Sequence, residues 1–175
     1  MVIELEILAY FTIIVVDLYQ NIKPYILQSK TRLKKWTENN NLVLAYMSIG
    51  EAEDYREYYP NMNKKLILEL NEEWAGNYTV KYWESEWEKI ILKYLDKILA
   101  QGFNGVYLDI VDGFHRFDDK KLHAKRMAIL VNSIYQSIRY YNNRLKKYKL
   151  ISTSRVYESA TVGSSNVLFG VSKEL

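Results

Sequence analysis

Hydrophobic positions along the chain fall into two patterns. Some form short, almost unbroken runs: residues 10–16 (YFTIIVV), 42–49 (LVLAYMSI) and 105–111 (GVYLDIV), with a weaker, alternating run at 78–83 (YTVKYW). Runs of this length predict buried strands, and near-continuous ones predict strands covered on both faces, as in a parallel sheet. Elsewhere the spacing is helical. Over 85–101, Trp87, Ile90, Ile91, Tyr94, Leu95, Ile98 and Leu99 make one apolar stripe. Ser85 and Glu88 have the spacing of a capping box at its start, and Gly102 is placed to end it in the left-handed conformation. Over 121–146, Met127, Leu130, Val131, Ile134 and Ile138 form a second stripe, with Asp118 or Asp119 as cap. Residues 24–39 are looser, with Ile26, Leu33 and Trp36 on the apolar side. Residues 149–152 fit a fifth strand.

This alternation of strands and helices predicts an α/β fold with a parallel sheet. Segment 50–77 is too long for a plain connection and predicts a functional loop or one with its own short helix. Residues 7–16 are apolar, but Glu4 and Glu6 precede them and no Lys or Arg does. That does not fit a signal peptide, and the run is too short to span a bilayer. It reads as a strand. No linker or repeat is visible, and periodicity fades after Ser152. The division predicted is a barrel-like unit over 1–151 and a divergent tail over 152–175.

Composition narrows the function. A chain of 175 residues fits one domain, and a net charge of +3 makes no case for nucleic acid or membrane as partner. There is no cysteine, hence no disulfide, thiolate metal site or thiol nucleophile. His115 and His123 lack partners at metal-ligand spacing and read as surface residues. No phosphate loop, dinucleotide fingerprint or serine elbow is present. No cofactor or metal is expected. The sixteen Tyr and four Trp are many for this length. Most are read as packing, although aromatic faces also stack on sugars.

Acidic residues gather where the strand runs end: Asp17 after the first, Glu51, Glu53 and Asp54 after the second, Asp109 and Asp112 in and after GVYLDIV. In parallel barrels these ends converge on one face, where active sites lie. Asp109 interrupts an apolar strand, which is costly unless the carboxylate has partners or a task. Alternation places Tyr107, Asp109 and Val111 on one face. The structural alternative is an Asp paired with Lys, Arg or a backbone amide. Glu51 and Glu53, in SIGEAEDYR, either line the pocket or belong to a solvated loop. Gly50 there allows a sharp turn, and Arg56 is available to pair with one Glu. Asp112 reads first as a turn or cap residue.

The stretches AYMSIGEAEDYR, WAGNYTVKYW followed by SEWEKII, and GFNGVYLDIVDGF resemble the endo-α-1,4-polygalactosaminidase family, glycoside hydrolase family 114, over about residues 10–145. The resemblance implies a (β/α)8 barrel that cleaves galactosamine-rich polysaccharide. It implies that the acidic residue on the fourth strand, Asp109, is catalytic, and that Glu51 and Glu53 lie in the pocket. Glycoside hydrolysis needs two carboxyl groups, and Asp109 with Glu51 is the pair expected. Asp17, Glu53, Tyr46, Tyr82 and Asp112 are the substrate-binding candidates, the acids for a cationic polymer and the aromatics, with Tyr55 and Trp83, for sugar faces. A complete barrel of this kind takes about 250 residues. The sequence therefore predicts about the first four to five βα units, and a second chain completing the barrel is a candidate partner. Residues 149–175 lack the family's Asn pattern, and Glu158 does not match its later acid. Two readings follow: an active glycosidase, or a truncated, silent relative that at most binds carbohydrate.

Overall fold

The computed structural model describes residues 3–7, 11–19, 28–38, 41–145, 149–152 and 167–169, with side chains described over 13–19, 28–38 and 41–141. Its strands are β1 (Ile3–Ile7), β2 (Phe11–Val16), β3 (Leu42–Ser48), β4 (Glu51–Glu53), β5 (Ile67–Leu70), β6 (Asn77–Val80), β7 (Gly105–Asp109), β8 (Lys149–Ser152) and β9 (Val167–Phe169). Its helices are α1 (Lys30–Thr37), α2 (Ser85–Gln101) and α3 (Lys120–Leu145). A six-stranded sheet runs β1-β2-β3-β7-β8-β9. All its pairings from β2 to β9 are parallel, and β1 alone is antiparallel. The expected parallel α/β architecture is present.

Two strands of this sheet were not expected. Ile3, Leu5 and Ile7 alternate with Glu4 and Glu6, a pattern suited to the edge position that β1 takes. Val167–Phe169 pairs with β8 although the sequence there shows no strand period. One expected strand changes place. The 78–83 run contributes β6, which does not enter the parallel sheet but forms the centre of a small antiparallel sheet, β4-β6-β5. The connection from β5 to β6 is a tight loop, closed by Asn71 N–H to Asn77 O at 2.8 Å. So short a link permits only antiparallel pairing. GVYLDIV therefore becomes β7, directly beside β3. Segment 50–77 is this small sheet with two short 3-10 turns, Tyr59–Asn61 and Lys64–Leu66.

The side-chain period of two divides the main sheet. Ile14 and Val16, Val43, Ala45 and Met47, and Val106 and Leu108 face the helices. There they meet Leu33 of α1, Trp87, Ile91, Leu95 and Ile98 of α2, and Met127, Leu130, Val131, Ile134 and Ile138 of α3. Both predicted helical stripes are thus core. Ile13, Val15 and Leu44 form a second cluster on the opposite, inner face, with Leu42, Tyr46 and Tyr107 packed against it. Continued to the strand ends, the inner-face parity takes in Asp17, Ser48 and Asp109.

The helix ends match the sequence in part. Gly102 ends α2 at φ +112°, and Asp119 Oδ1 accepts from Leu122 N–H at 2.9 Å at the start of α3. The capping box does not form: Glu84 is the N-cap of α2 without a side-chain bond, and Ser85 lies inside the helix. α1 begins later than read, with Ser29 Oγ capping Arg32 N–H at 3.2 Å. Ile26 falls outside the described residues.

Candidate active site

Asp109 is the last residue of β7, in register with Ser48 of β3, while Tyr46 is in register with Tyr107. The Tyr46 hydroxyl donates to Asp109 Oδ2 at 2.6 Å. Burial, then the negative charges of Asp109 and Glu53, push the Tyr46 hydroxyl far above its ordinary value, so it keeps its proton. The main chain fixes Asp109 as well. Its carbonyl accepts from Ile49 N–H at 3.1 Å. The next residue, Ile110, has φ +57°, an unfavourable conformation for a β-branched side chain. This reversal breaks the strand alternation. Val111 therefore does not share a face with Tyr107 and Asp109, as read from the sequence, but enters the helix-side core. Gly50 has a different role from the one expected. Its φ is not positive. A Cβ there would lie 2.5 Å from the Ile110 carbonyl oxygen, so glycine is required by close approach of the two strand ends.

A second cluster lies beside this one. Arg56 is 2% exposed. Its Nε donates to Glu53 Oε2 at 2.6 Å, and its Nη1 donates to Asp17 Oδ1 at 2.7 Å and to the Tyr94 hydroxyl at 2.9 Å. Its Cζ stands 4.9 Å from the Tyr55 ring centroid, 5.6 Å from that of Tyr94 and 6.0 Å from that of Tyr46. Burial opposes the Arg56 charge, but Glu53 foremost, with Tyr94 and Asp17, raises its pKa overall. The Tyr55 hydroxyl donates to Glu53 Oε1. Tyr19 N–H donates to Asp17 Oδ1 at 2.8 Å. Of the sequence candidates, the structure thus brings together Asp109, Tyr46, Glu53 and Asp17.

Glu51 shares a face of β4 with Glu53 but has other partners. It is 1% exposed. Its Oε1 accepts from Asn71 Nδ2 at 3.0 Å and Arg116 Nη2 at 2.9 Å, and its Oε2 from Asn77 Nδ2 at 3.2 Å. Arg116 also donates to Thr79 Oγ1 at 2.9 Å. These contacts pin the β5–β6 loop to β4. A cavity of about 410 Å³ opens beside Arg116, lined with Glu69, Leu70, Asn71, Glu72 and Glu73. Asn71, Asn77 and Arg116 were not singled out by sequence. Their signal was faint: two Asn flanking a turn, and one Arg in a polar stretch.

Tyr82 and Asp112 lie apart from these clusters. Tyr82 is buried, and its hydroxyl donates to the His123 carbonyl at 3.1 Å. Arg126 lies over the Trp83 ring, with Cζ 4.8 Å from the centroid. Phe117 stacks on His123 at 4.0 Å. His123 is therefore a packing residue and not a surface one, and burial, then Arg126, lowers its pKa. Asp112 is exposed and precedes the short turn Gly113–Arg116 without a side-chain capping bond. Among the described residues there is no group of three or more His, Cys, Asp or Glu able to hold a metal ion. No described helix is long and apolar enough to cross a membrane.

Comparisons with known proteins bear on the family and the fold. The chain is 41% identical over 141 residues to an uncharacterized protein of Methanocaldococcus jannaschii, covering 76% of this chain and 41% of that one. It is 34% identical over 122 residues to an uncharacterized protein of Thermotoga maritima, covering 66% of this chain and 38% of that one. The matches thus span about two fifths of the relatives' length. Among solved structures, the glycoside hydrolase domain of PelA from Pseudomonas aeruginosa superposes with a TM-score of 0.63 at 15% identity, over 82% of this chain and 56% of that one. Aspergillus fumigatus Ega3, in complex with galactosamine, does so with a TM-score of 0.54 at 16% identity, over 90% and 82%. The fold is accordingly a portion of a TIM-barrel-like (β/α) architecture. The model of glycoside-hydrolase family GH114 matches residues 4–149, and the chain belongs to that family.

Proposed function

We propose that this chain carries part of the active site of a glycoside hydrolase for galactosamine-containing polysaccharide, with Asp109 as one of two catalytic carboxyl groups. The observation that carries the reading is the state of Asp109. It sits on the inner face at a strand C-terminus and is oriented by Tyr46. Among the described residues, Asp17, Glu51 and Glu53 each have an arginine partner, and Asp109 takes part in no ion pair. A carboxylate oriented but not neutralised is suited to act on a glycosidic bond. In that reaction the bond between the anomeric carbon and the leaving oxygen breaks. The leaving oxygen gains a proton, and water supplies the replacing hydroxyl.

The charge around Asp109 supports a cationic substrate. Asp17 and Glu53 pair with one guanidinium, that of Arg56, which lies over the Tyr46 ring, and the Tyr46 hydroxyl binds Asp109, so three carboxyl groups share one cation and leave a formal excess of negative charge. An ammonium-bearing sugar is drawn to such a face. Galactosamine is also the sugar in complex with the similar Ega3 structure. Glu51, the expected partner of Asp109, has the contacts of an anchoring carboxylate. The second acid is sought by substituting Glu53 and Glu51 in turn.

The test is release of reducing ends from partly deacetylated polygalactosamine. Asp109→Asn is expected to fold normally and lose about 10²–10⁴-fold in rate. Full N-acetylation of the polymer is expected to raise KM. If the protein releases no reducing ends, the silent-relative reading replaces this one. If Asp109→Asn cleaves normally, Asp109 is not the catalytic group.

A further inference from the structure

Tyr46 was expected to offer its ring to a sugar. The structure gives the residue other engagements. Its ring packs on the inner cluster of Ile13, Val15 and Leu44, and the Arg56 guanidinium stands 6.0 Å from its centroid. Its hydroxyl is spent on Asp109 Oδ2 at 2.6 Å, a short bond of the charge-assisted kind. A hydroxyl that donates to a carboxylate favours the ionised form over the protonated one. It also occupies Oδ2, while Oδ1 has no partner among the described residues.

The groups around this pair come from several elements. Tyr107 approaches from β7, and Glu53, Tyr55 and Arg56 from β4 and the turn after it, with Asp17 bound to Arg56 from the end of β2. The Tyr46 hydroxyl is held protonated by this setting, so the proton in the bond belongs to tyrosine. Tyr107 is the local contrast. It is in register with Tyr46 on the neighbouring strand, and its hydroxyl makes no hydrogen bond to Asp109.

We propose that Tyr46 is a positioning residue for catalysis: its hydroxyl fixes the Asp109 carboxyl through Oδ2 and, among the described residues, leaves Oδ1 without a partner. The proposal rests on the reading of Asp109 as catalytic.

The experiment is the pH dependence of kcat/KM for galactosamine-polymer cleavage by the full chain. In Tyr46→Phe the acidic limb moves up by about one pH unit, and kcat falls about 10- to 100-fold, the loss of one hydrogen bond to a charged group. KM stays within about twofold, because uniform binding is not removed. Site-specific 3-fluorotyrosine at position 46 keeps the ring and makes the hydroxyl a stronger donor. It moves the limb down, and carries the test alone should Tyr46→Phe not fold. Tyr107→Phe leaves the limb in place. A limb unmoved by either change at position 46, or a rise in KM with kcat intact, overturns the positioning role and restores the sugar platform. A wild-type protein with no activity overturns the Asp109 reading, whereas an active protein with an unmoved limb overturns the positioning role alone.

Discussion

Glu51 and Glu53 lie two residues apart on one face of one short strand, both almost fully buried and both paired with arginine. Yet they do different work. Glu53 meets Arg56, whose side chain is 1% exposed and which reaches on to Asp17 and Tyr94. That pair ties together the end of β2, the turn after β4 and helix α2. Glu51 meets Arg116, whose side chain is 37% exposed, together with two asparagines of the small antiparallel sheet. That pair fastens a hairpin. The lesson is that a carboxylate at a strand end is defined by its cation. Asp109, at the end of β7 and in register with Ser48, has a hydroxyl donor in place of a cation.

Arg56→Met is the most severe way to break the comparison. It leaves the buried Glu53 and the half-buried Asp17 without their counter-charge and is expected to cost about 3–5 kcal/mol in urea unfolding. The same truncation at Arg116 should cost less, because Asn71 and Asn77 still cover Glu51; equal losses would erase the distinction between the two pairs. Gly50→Ala comes next. Its Cβ would meet the main chain of Ile110 at 2.5 Å, so strand ends must separate, at about 1–3 kcal/mol by overpacking. Since Ile110 follows Asp109, activity should fall more than that stability loss explains; a variant as active as wild type would show that the close approach does not position Asp109. Glu51→Gln should have the smallest effect. An anchor retains kcat/KM within about tenfold when the amide replaces the carboxylate, whereas a catalytic carboxyl would lose about 10²–10⁴-fold in the reducing-end assay.

Much of this was legible before any fold was known. Buried runs such as LVLAYMSI and the stripes of α2 and α3 emerged because burial imposes a period on the chain. Asp109 stood out because a carboxylate inside an apolar strand needs a reason. The failures have physical causes too. YTVKYW reads as a barrel strand because local pattern does not say which neighbour a strand will pair with. Val111 was put on the wrong face because the pattern does not reveal the φ of Ile110. His123 was placed at the surface, whereas Phe117, Trp83 and Tyr82 close around it from distant parts of the chain. Tyr46 and Tyr82 looked alike as aromatic candidates, and only their hydroxyl partners separate them.

By itself the sequence determined the parallel α/β class and most of the core, and it marked the acids that follow the strand runs, because hydrophobic period and strand polarity are local properties. Only the tertiary structure decided which of those acids are neutralised. Ion pairing depends on where Arg56, Arg116 and Tyr46 arrive in space, and each arrives through packing of segments far apart in the chain.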